Sequence, residues 1–399
     1  MNSKTLDYVR QHADEDVRQL ALRGCKDPDV ELTVALQQIQ GRQTARQKLP
    51  SWAAVDGIQY PPHLNMEQCS SEQTARYKAD LCRRLLSGSQ QTSLYDLTGG
   101  FGVDFAWMSE AFDQSTYVER DAQLFAISSA NFEQLGKKVE KVNADGIDVL
   151  HTIGHATMIF LDPARRDDHG GRTYGISDCT PDVLAVRDEL LKKADFVVLK
   201  LSPMLDWRKA VNDLGEQNVS EVHIVSVANE CKELLVVMHQ RSTSLTVFCV
   251  NDDQTFVFNP ILATIGHERH VEPSLLAGAG KRLLVPNASV MKAGCFDQLA
   301  QQFSISQIAR NSHLFISDGP VEGFPGRQFV IDAVSSMSKQ DMKVHLAGLK
   351  QANIAVRNFP LTVAELRRRL KLSEGGSTYI FATTLANGDR VLLLCRKLV

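Results

Sequence analysis

The sequence lacks a CxxC pair, and its eight cysteines stand singly along 399 residues. Isolated cysteines of this kind are typical of reduced thiols, not of a disulfide framework or a zinc site. His267 and His270 form a compact histidine pair, and no cysteine or third histidine lies near them in sequence. We therefore predict that the protein binds no metal.

Long apolar runs are also missing. No segment approaches the roughly 18 apolar residues of a membrane span. The charged stretch Met1–Asp16 has no apolar core of the signal-peptide type. With 43% hydrophobic and 23% charged residues, the composition is that of a folded globular protein. The sequence therefore predicts no membrane association and a cytoplasmic location.

The net charge of −3 conceals an uneven distribution. Residues 271–399 contain 16 basic and 9 acidic residues, whereas acidic residues are in excess over residues 1–270. A basic region of this kind favours a polyanionic partner for the carboxyl-terminal part. The alternative is a solvated basic face with no partner, and the composition does not decide between them.

Three kinds of pattern follow one another along the chain. Residues 1–90 show helical spacing, with a predicted capping box at Ser70-x-x-Gln73. From residue 93, short apolar runs alternate with helical patterns, which is typical of a mostly parallel sheet built from βαβ units. The predicted strands are Leu94–Leu97, Thr116–Glu119, Lys141–Asn143, Thr157–Leu161 and Phe196–Leu201, and Thr180 is predicted to cap the helix before the last of them.

The rest of the sequence predicts hairpins and a short helix. Val222–Val227 and Leu234–His239 are too close in sequence for a crossover, so they suit a hairpin. Near the carboxyl terminus, Thr362-x-x-Glu365 is a capping box that opens a helix. Asn387-Gly388 predicts a tight turn between the last two strands.

A glycine-rich segment, Leu94–Asp104, leads from an apolar strand into a helix. Counted from Gly100 and Gly102, the third glycine of a dinucleotide fingerprint would fall at Phe105, so that fingerprint is absent, as is the P-loop motif. Asp96 closes the strand, where its carboxylate suits a cationic ligand such as S-adenosylmethionine (SAM). The alternative for Asp96 is a structural role in the turn.

Two further acids follow the next two predicted strands. Glu119 stands where a carboxylate can accept both hydroxyls of a ribose. Asp145 can accept from an adenine amino group, although it suits a helix cap for Gly146–Leu150 nearly as well. Because open α/β sheets bind ligands at the carboxyl ends of their strands, we expect the three acids to lie close together.

The fourth predicted strand ends in Asp162-Pro-Ala-Arg-Arg166. Proline stiffens this turn, so Asp162 projects at a defined angle over the strand end. Such a carboxylate can hydrogen-bond an amino group that is being methylated and accept the proton that it loses. Arg165 and Arg166 either clamp a phosphate or pair with the aspartates that follow them.

Methylation at a pyrimidine carbon would need a nucleophilic cysteine. The fourth-strand motif has Ala164 where such a residue is expected. Cys179 and Cys231 are the nearest remaining cysteines, and a buried structural cysteine is the more common state. The sequence therefore favours methylation on nitrogen.

These residues resemble the class I SAM-dependent methyltransferases. Asp96–Gly102 corresponds to the SAM loop, with Thr98 at its first glycine position, and Asp162–Arg165 corresponds to the catalytic motif of the fourth strand. The resemblance is closer still to bacterial members with a THUMP-like carboxyl-terminal domain. The stretches that carry it are Tyr60–Glu72, Asn229–Glu233, Pro286–Gly294 and Asn353–Pro360.

The resemblance implies a Rossmann-like α/β sheet, SAM as cofactor and an RNA substrate. It implies a helical region at 1–90, a methyltransferase domain at 91–260, a ferredoxin-like α+β module at 270–330 and a THUMP-like RNA-binding module at 331–399. The predicted catalytic residues are Asp162 and Arg165, and the predicted cofactor-binding residues are Asp96, Thr98, Gly100, Gly102, Glu119, Asp145 and Asp162. Arg367, Arg368 and Arg369 are the predicted RNA contacts. Two alternatives are a non-catalytic RNA-binding protein and a methyltransferase acting on DNA or a small molecule.

Overall fold

A computed structural model describes residues 1–165, 175–242, 244–260, 276 and 281–398. The chain divides into two compact units. The first unit comprises Met1–Glu221 with Leu234–Thr243, and the second comprises Val222–Glu233 with Ser244–Val399. Within the described ranges, every helix is too short or too polar to span a bilayer.

The described residues of the first unit form eleven α-helices and most of a parallel sheet. Its helices are α1 (Ser3–Gln11), α2 (Val17–Arg23), α3 (Leu32–Lys48), α4 (Pro50–Ala53), α5 (His63–Gln68), α6 (Glu72–Leu85), α7 (Val103–Met108), α8 (Ala122–Gln134), α9 (Gly146–Thr152), α10 (Val183–Lys193) and α11 (Trp207–Leu214). Its strands are β1 (Ser93–Asp96), β2 (Gln114–Val118), β3 (Glu140–Val142), β4 (Ala156–Leu161), β5 (Ala164–Arg165), β6 (Cys179–Thr180) and β7 (Ala194–Leu201). β8 (Val219–Val227) and β9 (Glu230–Met238) belong in part to each unit.

Within the first unit, the strand order is β9-β7-β4-β1-β2-β3. β7, β4, β1, β2 and β3 run parallel, and β9 runs antiparallel to β7. The predicted mostly parallel sheet is confirmed, and the ends of its five predicted strands lie within two residues of those observed. Because the parallel strands share a direction, their carboxyl ends meet at one edge of the sheet.

The amino-terminal helices belong to the same compact unit as this sheet. Asn131 on α8 joins the two regions, because its amide nitrogen donates to the Gln59 carbonyl and its amide oxygen accepts from the Gln59 N–H, both at 2.8 Å. Asn131 is fully buried, so this exchange satisfies its amide without water.

Two predicted helix caps were wrong by one or two residues. Ser71, not Ser70, caps α6, because its hydroxyl accepts from the N–H of Thr74. Asp182, not Thr180, caps α10, since its carboxylate accepts from the N–H groups of Leu184 and Ala185. The displacement at α6 frees Ser70 for a different contact, described below.

The second unit is α+β. Its strands are β10 (Thr246–Asn251), β11 (Gln254–Phe258), β12 (Arg282–Pro286), β13 (Ser306–Gln307), β14 (Phe315–Ser317), β15 (Gly326–Ser336), β16 (Asn353–Arg357), β17 (Thr378–Thr384) and β18 (Arg390–Lys397). Its helices are α12 (Ala288–Ala293), α13 (Phe296–Phe303), α14 (Lys339–His345) and α15 (Val363–Leu370). Seven of the described strands form one sheet in the order β13-β14-β12-β15-β18-β17-β16, antiparallel except for β16 with β17.

Alternation along β17 and β18 gives this sheet two buried faces. Phe381 and Leu393 belong to one hydrophobic core, and their sequence neighbours Ile380 and Leu392 belong to the other. The predicted turn at Asn387-Gly388 joins these two strands, and Gly388 has a φ of 89°.

The predicted capping box at the start of α15 is confirmed. The N–H of Glu365 donates to the Thr362 hydroxyl, and the Glu365 carboxylate accepts from the N–H of Thr362. Leu361 and Leu366 pack in the same hydrophobic cluster, as expected of a hydrophobic staple. The local signals that begin this helix are therefore read correctly from the sequence.

Candidate active site

A cavity of about 410 Å³ lies at the carboxyl ends of the parallel strands of the first unit. All seven residues predicted to bind the cofactor line it: Asp96, Thr98, Gly100, Gly102, Glu119, Asp145 and Asp162. Among the described residues, its lining also includes Asp104 and Asp121, against two basic residues, Arg120 and Lys200. This excess of carboxylates suits a cationic ligand better than a phosphate-bearing one.

The glycine loop is shaped by two aromatic rings. A Cβ at Gly99 would stand 2.1 Å from the Tyr117 ring, and a Cβ at Gly102 would stand 2.5 Å from the Phe132 ring. Gly100 differs, because its φ of +55° is left-handed and the nearest atom to its Cβ position is 3.8 Å away. The loop is therefore packed against protein at two glycines and faces open space at the third.

Asp96 is almost completely buried at the end of β1. Its carboxylate accepts a hydrogen bond from the N–H of Thr98 at 3.0 Å. Burial raises the pKa of Asp96 well above its usual value, and the nearby carboxylates of Asp104 and Asp162 raise it further. A cation bound beside Asp96 would oppose this shift and favour the ionised carboxylate.

Glu119 connects the end of β2 with the glycine loop. One of its carboxylate oxygens accepts from the N–H of Gly100 at 2.8 Å, and the other accepts from the N–H of Asp121 at 2.7 Å. Each carboxylate oxygen has two lone pairs, so these bonds orient the side chain and leave it able to accept from a ligand.

Asp145 is the N-cap of α9, because its carboxylate accepts from the N–H of Ile147 at 2.8 Å. The capping role that the sequence offered as an alternative is therefore present. Asp145 also lines the cavity. Its contact with an adenine amino group stays a prediction.

Asp162 is held from two sides. Its N–H donates to the Thr98 hydroxyl at 2.6 Å, and one carboxylate oxygen accepts from the Lys200 ammonium at 2.6 Å. Thr98 thus supplies a hydroxyl that glycine at the same position would lack. It ties the loop after β1 to the loop after β4.

A largely buried group of charged residues at the cavity was missed by the sequence reasoning. Lys78 on α6 lies 3.1 Å from Asp104, and Lys200 at the end of β7 lies 3.3 Å from it. Ser70 donates to the same carboxylate at 2.8 Å. Burial raises the pKa of Asp104, but the two ammonium groups outweigh it and leave the pKa below its usual value.

A signal for these residues was present in the sequence. Lys78 falls on the buried face of α6 with Ala75, Ala79 and Cys82, where an unpaired ammonium would be costly. Lys200 interrupts the apolar run of β7 one residue before its end. A charge on an otherwise apolar face predicts a buried partner, although it does not identify the partner.

Cys69 also lines the cavity, beside Asn65 and Gln68 of the amino-terminal region. Burial raises the pKa of the Cys69 thiol to about 11, so it is a thiol and not a thiolate near neutral pH. Cys179 is buried, and the Cys231 thiol donates to the Ala288 carbonyl at 3.4 Å. The raised pKa of Cys69 therefore does not favour a nucleophilic thiolate at this cavity.

The predicted arginines fall in different settings. The side chain of Arg165 and all of Arg166 lie outside the described residues. Arg368 and Arg369 on α15 are exposed. Arg367 is partly buried and donates to the Ala352 carbonyl at 3.3 Å, so it also has a structural role.

No group of three or more His, Cys, Asp or Glu side chains suited to a metal ion occurs within the described residues. His267 and His270 lie outside these residues.

Comparison with known proteins places the chain among methyltransferases. Residues 326–397 match the THUMP domain-like family, and residues 283–325 match a ferredoxin-like domain family. The crystal structure of a Porphyromonas gingivalis W83 protein assigned as a methyltransferase is 30% identical, with full coverage of both chains and a TM-score of 0.86. The chain belongs to the class I SAM-dependent methyltransferases with a THUMP-like carboxyl-terminal domain. SAM is the methyl donor of this family.

Two curated relatives are also named as SAM-dependent methyltransferases. Two Mycobacterium tuberculosis strains, CDC 1551 / Oshkosh and H37Rv, each contain an uncharacterised SAM-dependent methyltransferase that is 22% identical over 335 residues. The match covers 81% of this chain and 84% of each relative. The predicted α/β class and carboxyl-terminal α+β modules are confirmed.

Proposed function

We propose that this methyltransferase transfers a methyl group from SAM to a base nitrogen in RNA, either tRNA or rRNA. The observation that supports an RNA substrate is the THUMP-like match at residues 326–397, in the part of the chain where basic residues exceed acidic ones. The preference for nitrogen rests on Asp162 at the cavity and on the raised pKa of Cys69.

The cavity fits SAM. Its acidic lining complements the ammonium and sulfonium groups, and the open direction at Gly100 lets a ligand approach the backbone. In this proposal Asp96, Thr98, Gly100, Gly102, Glu119, Asp145 and Asp162 form the binding site. When bound, SAM supplies an electrophilic methyl group: a carbon–nitrogen bond forms, the carbon–sulfur bond breaks, and S-adenosylhomocysteine leaves with the electron pair.

Asp162 manages the proton of the acceptor in this proposal. Its carboxylate accepts a hydrogen bond from the amino group of the base, which directs the nitrogen lone pair toward the methyl carbon. After the new bond forms, the extra proton on nitrogen passes to Asp162 and then to water. We further propose that Arg165, in the same motif, contacts a phosphate of the substrate.

The carboxyl-terminal modules hold the RNA. Arg368 and Arg369 present exposed guanidinium groups on α15 and contact phosphates, with Arg367 beside them. The proposed domain limits are 1–90, 91–260, 270–330 and 331–399. The two family matches, at 283–325 and 326–397, support the order of the last two.

Mass spectrometry of nucleosides tests the substrate. RNA from a strain that lacks the gene should lose one methylated nucleoside, and adding back the wild-type gene should restore it. The purified enzyme should also methylate RNA from that strain with labelled SAM. Label entering only DNA or a small-molecule fraction would contradict the proposal.

A further inference from the structure

Four charged side chains alternate in sign from the interior of the first unit to the cavity. Lys78 contacts Asp104 at 3.1 Å, Asp104 contacts Lys200 at 3.3 Å, and Lys200 contacts Asp162 at 2.6 Å. We name these four residues the ion-pair chain. Each inner member thus has an oppositely charged neighbour, as buried ions require.

The exposed fraction of the side chains rises along the ion-pair chain toward the cavity. The Lys78 side chain is 1% exposed, those of Asp104 and Lys200 are 11% and 12% exposed, and that of Asp162 is 40% exposed. Asp162 is therefore the most exposed member. Asp104 and Lys200 also line the cavity but are little exposed, and Lys78 lies behind them. Lys200 contacts two carboxylates, so it acts as a cationic donor and not as a base.

The contacts of Asp162 leave one carboxylate oxygen available. Lys200 occupies Oδ2, and Thr98 accepts from the backbone N–H. In the part of the chain that the structure describes, no donor contacts Oδ1. The backbone and one oxygen are thus held, and the second oxygen can accept from an amino group.

We propose that Lys200 is the positioning residue for Asp162: it holds Oδ2 so that Oδ1 is directed at the acceptor nitrogen. This inference rests on the proposed role of Asp162 in methyl transfer. Lys78 and Ser70 support Lys200 indirectly, because they hold the Asp104 carboxylate that Lys200 contacts. Lys200 itself gains and loses no proton in the reaction.

The test compares Lys200→Met, which removes the charge, with Lys200→Arg, which keeps it. Lys192→Met is the matched control, since Lys192 is an exposed lysine on α10. For Lys200→Met, kcat should fall about 10²-fold, the loss expected of a misplaced catalytic group, while the SAM Kd stays within about threefold. Lys200→Arg should restore part of kcat, and Lys192→Met should match wild type.

A double-mutant cycle distinguishes positioning from mere structural support. In an Asp162→Asn background, adding Lys200→Met should lower kcat no further, because the residue through which Lys200 acts is already disabled. An equal loss in both backgrounds would overturn the inference, as would wild-type kcat in Lys200→Met.

Two precautions keep the result interpretable. If Lys200→Met unfolds, Lys78→Met/Asp104→Asn/Lys200→Met removes the three buried charges together and should show the same loss of kcat. RNA, DNA and small-molecule fractions of a strain lacking the gene are all offered as acceptors. If label enters a fraction other than RNA, the RNA proposal fails, and the Lys200 comparison is made on the accepting fraction.

Discussion

The two units use charge in opposite ways. In the first unit, acidic residues line a cavity, and burial and close partners shift the pKa values of two of them, Asp96 and Asp104. In the second unit, arginines such as Arg368 and Arg369 stand exposed on a short helix. The first arrangement suits one small cation, and the second suits an extended polyanion.

This contrast predicts that substitutions in the two units have effects of different size. Charges in a partly buried site interact through a low effective dielectric constant and are screened little by salt. Exposed charges interact weakly and are screened strongly. Changes in the first unit should therefore be large and insensitive to salt, whereas changes in the second should be small and sensitive to it.

The largest expected effect is that of Asp162→Ala. Removing the proposed proton acceptor should lower methyl transfer about 10²- to 10⁴-fold. SAM affinity should change by less than about tenfold, or ~1.4 kcal/mol, because other acids hold the cofactor. Kinetics with labelled SAM and calorimetry measure the two quantities, with Asp188→Ala, an exposed carboxylate on α10, as control. Activity near that of wild type would exclude Asp162 as the proton acceptor.

The next effect is expected at Gly100. Gly100→Val should abolish measurable SAM binding, because the added side chain extends into the open space beside the loop. Gly100→Ala should weaken binding less. Gly88→Ala is the matched control, since Gly88 has a φ of +87°, nothing within 4 Å of its Cβ position and no part in the cavity lining. Both alanine variants carry a backbone strain of about 1–2 kcal/mol, so SAM affinity, and not stability, distinguishes them. Undiminished affinity in Gly100→Val would remove the SAM assignment for this loop.

The site residues that sequence reasoning finds are those placed by local pattern. Asp96 ends a strand, Glu119 and Asp162 each follow one directly, and a parallel sheet brings such positions to one edge. Lys78 and Asp104 are missed because their importance comes from contacts between α6, α7 and β7. Those contacts depend on tertiary packing, which no spacing rule encodes.

Thr98 illustrates a different limit. At the first glycine position of the SAM loop, its hydroxyl accepts from the N–H of Asp162. The sequence shows the substitution but not this bond, since the partner lies 64 residues away. Helix caps show the same limit at smaller scale: Ser70 and Ser71 both suit an N-cap, and packing of Ser70 on Asp104 leaves Ser71 as the cap.

The pH dependence of SAM binding should give a smaller effect than Gly100→Val. Burial raises the pKa of Asp96 in the free protein, and the ionised carboxylate is the form that attracts a cation. Affinity should therefore fall as pH falls through the raised pKa, by up to about tenfold per pH unit for one coupled proton. Calorimetry in buffers of different ionisation enthalpy should detect proton release on binding. In Asp96→Asn the release should disappear, and a wild-type proton release in that variant would assign it to another group.

The smallest effect is expected for the exposed arginines of the second unit. Arg368→Gln/Arg369→Gln should weaken RNA binding modestly, because both guanidinium groups are exposed and each contributes through phosphate contacts alone. For single-stranded RNA, the slope of log K against log salt should decrease by roughly 0.7 for each phosphate that the variant no longer neutralises. Arg10→Gln/Arg18→Gln removes the same charge from exposed positions in the first unit and serves as control. Binding measured at two or more salt concentrations distinguishes specific contacts from net charge. Equal slopes of log K against log salt in the two double variants would mean that α15 contributes only its share of net charge. A smaller slope confined to the α15 variant would place phosphates at this helix.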